Sequence, residues 1–233
     1  MPEATNLVVI GGTAGLGRAV ARHYAQRGSH VTIAGRDATR AKTVADEIGG
    51  DTHGIAVDLS RPDTIADALT ALTRVDHLVL TATSRDQNTV RDFHVPSALS
   101  LVTTKLIGYT EVVHALADRL SERASIVVFG GLAKDRPFPG STTLSIAHSG
   151  VTGLTNTLAI ELAPVRVNSI HPGAVADTPY WQANPQVTEV LADQTPTGRL
   201  PTTADVTNAV AFLLENQAIN GVHLLVDGGL HFH

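Results

Sequence analysis

The 233-residue sequence contains no cysteine. That absence excludes a disulfide framework, thiolate catalysis and the common structural zinc sites. Charge is sparse as well. Only 17% of residues are Asp, Glu, Lys or Arg, and the formal net charge is −5. This is too little for a disordered chain and the wrong sign for charge-driven nucleic-acid binding. No run of 18 apolar residues occurs, so no helix is expected to span a membrane. Residues Met1 to Asn6 lead directly into an apolar run, without the basic-then-apolar layout of a signal peptide. The expectation is a cytoplasmic protein with no membrane or nucleic-acid partner. What is present is a chain that is 43% hydrophobic and long enough to bury a sizeable core. Its eleven histidines are scattered and form no H-E-x-x-H pattern. They read as surface or helix-end residues, with no metal site.

Short, almost continuously apolar runs alternate with segments of helical period. Leu7–Ile10, Val31–Ala34, Ile55–Val57, Leu78–Thr81, Ile126–Phe129, Val165–Ile170 and Val222–Val226 read as strands buried on both faces. Helices are expected over Leu16–Arg27, from a cap at Asp37 through Ile48, from Pro62, from Pro96 towards Arg119, over Thr143–Leu162 and over Ala204–Leu214. Gly49-Gly50 ends the second of these. Strands alternating with helices on short links argue an α/β fold, a doubly wound parallel sheet in one domain. The stretch from Ala174 to Arg199 breaks the rhythm, carrying three prolines and the pair Tyr180-Trp181. A loop of that length reads as a lid over a ligand.

Val8-Val9-Ile10-Gly11-Gly12-Thr13-Ala14-Gly15-Leu16-Gly17-Arg18 reads as a strand, a glycine-rich turn and a helix start. Glycines at 11, 15 and 17 allow a sharp turn and close approach of a pyrophosphate, towards which the helix points its amides. The second strand ends Ile33-Ala34-Gly35-Arg36-Asp37. Gly35 there leaves room, and Arg36 offers a guanidinium suited to a 2′-phosphate. Asp37, about 20 residues after the last glycine, is the competing signal for a 2′-hydroxyl, but it also suits a helix cap. The reading is NADP(H) over NAD(H).

These motifs resemble those of the short-chain dehydrogenase/reductase family, in the compact form close to 3-oxoacyl carrier-protein reductases, over essentially the whole chain. The resemblance carries the turn residues Gly11, Thr13, Gly15, Leu16 and Gly17, with Ile10 where a threonine is usual. It carries Asp58-Leu59 at the adenine and Thr81-Ala82-Thr83 after the fourth strand. It also carries Pro172, Gly173, Val175 and Thr178 along the nicotinamide carboxamide. Asp76-His77-Leu78-Val79, Gly198-Arg199-Leu200 and Val226-Asp227-Gly228-Gly229 match further signatures. It implies a Rossmann-like sheet of seven parallel strands flanked by helices, a homo-oligomer (tetramer or dimer), and hydride transfer between a nicotinamide cofactor and a carbonyl or alcohol.

The family's acid/base groups do not carry over. Aligning Gly150-Val151-x-Gly153-Leu154-Thr155 puts the expected Tyr-x-x-x-Lys at Leu144 and His148. The serine falls on Gly131, and the asparagine on Lys105. A carbonyl reduction needs a proton donor and a group that stabilises the developing oxyanion. Leu144 and Gly131 supply neither. His148, with an ordinary pKa of about 6.5, is the candidate to bind the ribose, donate a proton or only pack. Lys105 is the candidate to reach ribose or substrate, against a solvated lysine at a helix bend. Ser84, Arg85, Lys134, Asp135 and Tyr180 lie by position at the mouth. The hydroxyls of Ser141-Thr142-Thr143-Leu144-Ser145 read as helix caps, and the tail His231-Phe232-His233 as packing rather than metal ligation. Three functions follow: an atypical NADP(H)-dependent oxidoreductase acting on a small molecule, a dinucleotide-binding protein without turnover, or a non-redox enzyme of the same fold.

Overall fold

Strands whose side chains are apolar on both faces need cover on both faces, and the chain supplies it with helices between successive strands. The structure, a computed structural model, describes residues 4–84 and 86–232. Seven strands form one parallel sheet: β1 (Asn6–Ile10), β2 (His30–Gly35), β3 (Thr52–Ala56), β4 (Val75–Leu80), β5 (Leu120–Phe129), β6 (Arg166–Pro172) and β7 (His223–Val226). Their order is β3-β2-β1-β4-β5-β6-β7. The expected doubly wound, Rossmann-like architecture is therefore the one observed.

Helices α1 (Gly15–Ala25), α2 (Ala38–Ile48) and α9 (Thr203–Glu215) cover one face. Val20, Ala21 and Tyr24 of α1 join Val206, Val210 and Leu214 of α9 in that core. On the other face lie α3 (Ile65–Ala68), α5 (Gly108–Leu116) and α6 (Thr142–Glu161), with Tyr109, Val112, Val151 and Leu158 in a second core. Asp37 caps α2 by accepting from the Arg40 amide at 2.8 Å. Gly49 and Gly50 end that helix at φ +76° and +63°, a region disfavoured for other residues. Thr202 and Asp205 form a reciprocal capping box on α9.

The strands β3 and β7 at the two sheet edges are not buried on both faces as expected, because each has a neighbour on one side only, and β3 and β5 begin at Thr52 and Leu120, ahead of the expected Ile55 and Ile126. Three helical segments also differ from expectation. The segment after Pro62 is one 3-10 turn (Pro62–Thr64) followed by the four-residue α3. The helix from Pro96 to Arg119 is interrupted: α4 (Val95–Val102) passes through a π turn (Thr103–Ile107) into α5 and ends in a 3-10 turn. The segment 174–199 is not structureless, since it holds α7 (Pro179–Gln182) and α8 (Pro185–Asp193). No described helix is long and apolar enough to cross a membrane.

The strand order reverses direction between β1 and β4. In open α/β sheets, ligands enter the crevice outside the carboxyl ends of the strands at such a switch point. The glycine turn after β1 and the residues after β4 meet there.

Candidate active site at the carboxyl ends of the strands

Gly11 has φ +91°, and a Cβ on it would sit 2.6 Å from both the Ala82 nitrogen and Thr81 Oγ1. A Cβ on Gly17 would also lie 2.6 Å from Thr81 Oγ1. The turn after β1 thus packs directly on the residues after β4. Thr81 Oγ1 lies 3.1 Å from the carbonyl oxygens of both Ile10 and Gly11, so its hydroxyl braces the turn. Gly15, at φ +51°, faces open space, with nothing within 4 Å of a Cβ built there. Ala14 caps α1 with no side-chain hydrogen bond, which leaves the first-turn amides for an anion. A pyrophosphate suits this cradle: bare backbone at Gly15, close-packed glycines behind it, and a helix N-terminus.

Thr13 covers Gly35, its Cγ2 only 2.7 Å from where a Cβ would be. The room expected over Gly35 is therefore filled by Thr13, a correction to the sequence reading. Beside it, Thr13, Arg18, Asp37, Thr39, Arg40 and Thr43 line an open groove of about 440 Å³. Arg18 is paired with Glu47 at 2.6 Å, and Arg36, just beyond β2, is exposed. Leu16 is half-buried and packs against the core beneath α1.

Asp58 Oδ1 accepts from the Ser60 amide and hydroxyl, at 3.0 and 2.7 Å. Leu59 is in the core, so only its backbone could meet an adenine. Thr83 is exposed and donates to the Ser84 carbonyl at 3.2 Å. Pro172 ends β6, the Gly173 amide donates to the Val226 carbonyl at 3.1 Å, and Val175 is buried. The Thr178 hydroxyl donates back to the Val175 carbonyl at 2.9 Å.

The chemistry-bearing side chains converge where α6 and the π turn face the ends of β4 and β5. The π turn sets Lys105 inward, where it is only 2% exposed. This resolves the sequence alternatives against a solvated lysine. Lys105 Nζ is 3.4 Å from the Tyr109 hydroxyl, which in turn donates to the Ala82 carbonyl at 2.5 Å. Burial lowers the Lys105 pKa to about 7 and pushes the Tyr109 phenol well above its usual range, because both charged forms lose hydration.

His148, on α6, projects over Gly131. A Cβ at Gly131 would stand 2.6 Å from His148 Nδ1 and 3.0 Å from Nε2. Its pKa falls to about 3, chiefly through burial and further through the charge of Lys105 and the nearness of His171. The sequence expectation of a near-neutral proton donor is therefore corrected: His148 is a neutral imidazole at physiological pH. Its Nδ1 is buried and without a partner. The favoured tautomer places the proton on Nε2, since an unpaired lone pair costs less than an unpaired N–H.

Other expected residues are placed less centrally. Ser84 is half-buried, and Arg85 lies outside the described residues. Lys134 and Asp135 pair with each other at 2.5 Å. Tyr180 stacks edge-on against Trp181, with centroids 5.0 Å apart. Ser141 and Ser145 do not cap α6 as expected. Ser141 Oγ accepts from the Phe138 amide, and the two hydroxyls meet at 3.1 Å. With Thr89, Val90, Arg91 and Phe138 they line a second groove of about 580 Å³, one helical turn from His148. In the tail, His231 Nδ1 bonds Asp227 at 2.6 Å; His233 lies outside the described residues. No cluster able to hold a metal occurs among the described residues.

Sequence reading missed Tyr109 and His171. The first stands four residues after Lys105, a spacing that places both on one helix face. The second is wholly buried just before Pro172, against the expectation of surface histidines.

Comparison with known proteins agrees with this geometry. The family described as enoyl-(acyl carrier protein) reductase matches residues 11–231. A bovine (Bos taurus) 3-oxoacyl-[acyl-carrier-protein] reductase is 32% identical over 230 residues, covering 95% of this chain and 96% of that protein. Carbonyl reductase family member 4 of Danio rerio is 32% identical over 233 residues, covering 96% of each. The crystal structure of a 3-ketoacyl-(acyl-carrier-protein) reductase from Brucella melitensis, complexed with NADH, superposes with a TM-score of 0.87. It is 28% identical and covers 99% of this chain and 100% of its own. With the sheet order, the glycine cradle and these matches together, the chain belongs to the short-chain dehydrogenase/reductase family of oxidoreductases.

Proposed function

We propose that this protein is an NADP(H)-dependent oxidoreductase of small carbonyl or alcohol substrates, working without the family's usual tyrosine, serine and lysine. The observation that carries the reading is the His148 ring. It fills the volume that a side chain at Gly131 would need, beside a buried amine at Lys105. Gly11, Gly15 and Gly17 with the α1 amides would hold the pyrophosphate. Arg36, assisted by Arg40, would hold the 2′-phosphate, and Pro172 to Thr178 would lie along the nicotinamide. When bound, the dinucleotide supplies or accepts a hydride.

The chain's own groups divide the remaining work. A neutral imidazole with its proton on Nε2 is a hydrogen-bond donor to a substrate carbonyl oxygen. A neutral histidine acts in this way as electrophile in triosephosphate isomerase. Lys105, with a pKa near operating pH, supplies or takes the proton. Tyr109 accepts from the amine, donates to Ala82, and so ties Lys105 to the floor of the cofactor cradle. The exposed Leu99, Ile107, Ile146 and Ile160 on α4, the π turn and α6 fit burial against a second copy. A monomer by light scattering at micromolar concentration would remove that part.

The test is a titration of NADPH and NADH with wild type and Arg36→Ala, then a carbonyl panel followed at 340 nm. Arg36→Ala should weaken NADPH binding about tenfold, on the order of 1.4 kcal/mol, and leave NADH unchanged. Equal affinity of wild type for both cofactors removes the 2′-phosphate claim. Tight binding with no turnover of any carbonyl assigns a dinucleotide-binding protein instead.

A further inference from the structure

The groove of about 580 Å³ opens beside the first turns of α6 and has two walls of different make. One wall is the tip of a tight turn after β4. The Thr89 amide donates to the Asp92 carbonyl at 3.2 Å, and the Asp92 amide to Thr89 Oγ1 at 2.9 Å. That closure puts Val90 and Arg91 at the tip, with Val90 83% exposed. The other wall is Pro137-Phe138-Pro139. Its two prolines stiffen the backbone and offer no N–H, and Phe138 is 56% exposed. A buried asparagine holds the walls together. The Asn88 carbonyl accepts from the Thr142 amide at 3.2 Å, and Asn88 Nδ2 donates to Thr143 Oγ1 at 3.2 Å. The foot of the turn is thereby tied to the start of α6.

The paired hydroxyls of Ser141 and Ser145 lie on the α6 side. Ser145 and His148 are three residues apart and share one face of that helix, with a rise of about 4.5 Å between them. The groove therefore leads towards the imidazole, although His148 is not one of its lining residues. Charge in the groove is one-sided. Arg91 is exposed and makes no ion pair or hydrogen bond with the described residues. Among the described lining residues it alone is charged, in a chain whose formal net charge is −5. A guanidinium without a carboxylate, set between Val90 and Phe138, suits an anionic group on an apolar body.

We propose that this groove holds the far end of the substrate, a carbonyl compound whose apolar body ends in a carboxylate or phosphate paired with Arg91. The inference rests on the function proposed above and names the substrate class for it. Because the imidazole lies beyond the groove, a molecule held at Arg91 reaches it only when several bonds separate the carbonyl from the anionic end. A 2-oxo acid, whose two groups are adjacent, is too short for both contacts. Arg91 and Phe138 touch no reacting atom. They bind the ground state and the transition state alike, so they act on KM rather than on kcat.

Binding is read first, without turnover. In 15N-labelled protein, titration with hexanoate, hexyl phosphate or hexanol should shift the amides of residues 142–145. Each anion should bind about two- to fivefold more tightly than the alcohol, the size of a solvent-exposed ion pair. The margin should shrink at high salt. Whichever anion binds more tightly identifies the end group. Arg91→Gln should remove the margin, and Phe138→Ser should weaken all three ligands alike. Equal affinity for anion and alcohol overturns the proposal, as does a margin that survives Arg91→Gln. Shifts confined to the glycine turn after β1 overturn it as well. In turnover, an oxo acid with its carbonyl remote from the carboxylate should show a lower KM than its methyl ester at equal kcat. Arg91→Gln should abolish that difference, and equal KM in the wild type overturns the proposal. A protein that binds hexanoate through Arg91 and reduces no carbonyl refutes the proposed function and leaves the anion site standing.

Discussion

His148 and Gly131 occupy a single side-chain volume between them: the imidazole lies where any Cβ at residue 131 would have to go. The two positions are therefore coupled. Gly131→Ala should force the ring aside and cost about 1–3 kcal/mol by overpacking. His148→Ala alone should cost by losing buried contacts. Together, Gly131→Ala and His148→Ala should recover most of the overpacking cost. Urea denaturation of the four proteins gives the interaction energy. Strict additivity would show that the ring does not sit on Gly131.

Lys105→Met should lower the rate of carbonyl reduction by about 100- to 10,000-fold. In wild type, reduction should weaken as pH rises through about 7, where the amine loses the proton it must donate. Stability moves the other way. Between pH 7 and the ordinary lysine range, the unfolded chain holds a proton that the folded chain does not. Wild-type stability should then rise with pH by roughly 1.4 kcal/mol per unit. Lys105→Met should be the more stable protein at pH 6, with the gap narrowing towards pH 10. A constant gap in denaturation series would mean the amine is not held in a low-dielectric site.

The buried imidazoles set the acid limit. His148 and His171 both titrate near 3 in the fold and near 6.5 when unfolded, so they contribute stability above pH 6.5 that is lost as pH falls towards 3. Each adds up to about 1.4 kcal/mol per pH unit to that slope. His148→Gln should remove about one proton from the uptake on unfolding at pH 5, measured from stability at closely spaced pH values. An unchanged slope would place the ring in water.

Arg166 offers a prediction far from the chemistry. Its guanidinium donates to the carbonyls of Leu213, Leu214 and Ile219 at 2.9, 2.5 and 3.0 Å, at the end of α9. Ser125 and Asn168 also donate to the Leu213 and Ile219 carbonyls, but hydrogen bonds from a charged group are the stronger ones, contributing about 1.5–3 kcal/mol. Arg166→Leu should lower the urea midpoint accordingly and raise amide exchange selectively over residues 210–219. Uniform exchange across the chain would contradict a local anchoring role.

What could be read from sequence was whatever depends on neighbours in the chain. The glycine turn and the Asp37 cap are local, and each lies where its residues indicate; the strand runs do so apart from the starts of β3 and β5. The helices of segment 174–199 were legible in part, because Pro179 and Pro185 stand at first-turn positions. In a stretch that breaks the helical rhythm, the same prolines read as loop residues. The inward turn of Lys105 was not legible, since a π turn leaves no composition mark and the run from Pro96 reads as continuous helix. The lowered pKa of His148 depends on burial against Gly131 and on Lys105 and His171, which come from distant parts of the chain.

The π turn at Thr103–Ile107 has one more consequence. Such a turn amounts to one surplus residue in an otherwise regular helix, and an α-helix advances about 100° per residue. Loss of one residue from those five would return the segment to regular helix, and because Lys105 and Tyr109 would still share a face, it is α4 that would turn by about 100° against the core. The seating of α4 on the core is thus a matter of chain length as much as of residue identity. Insertions and deletions, more than substitutions, would gain or lose it.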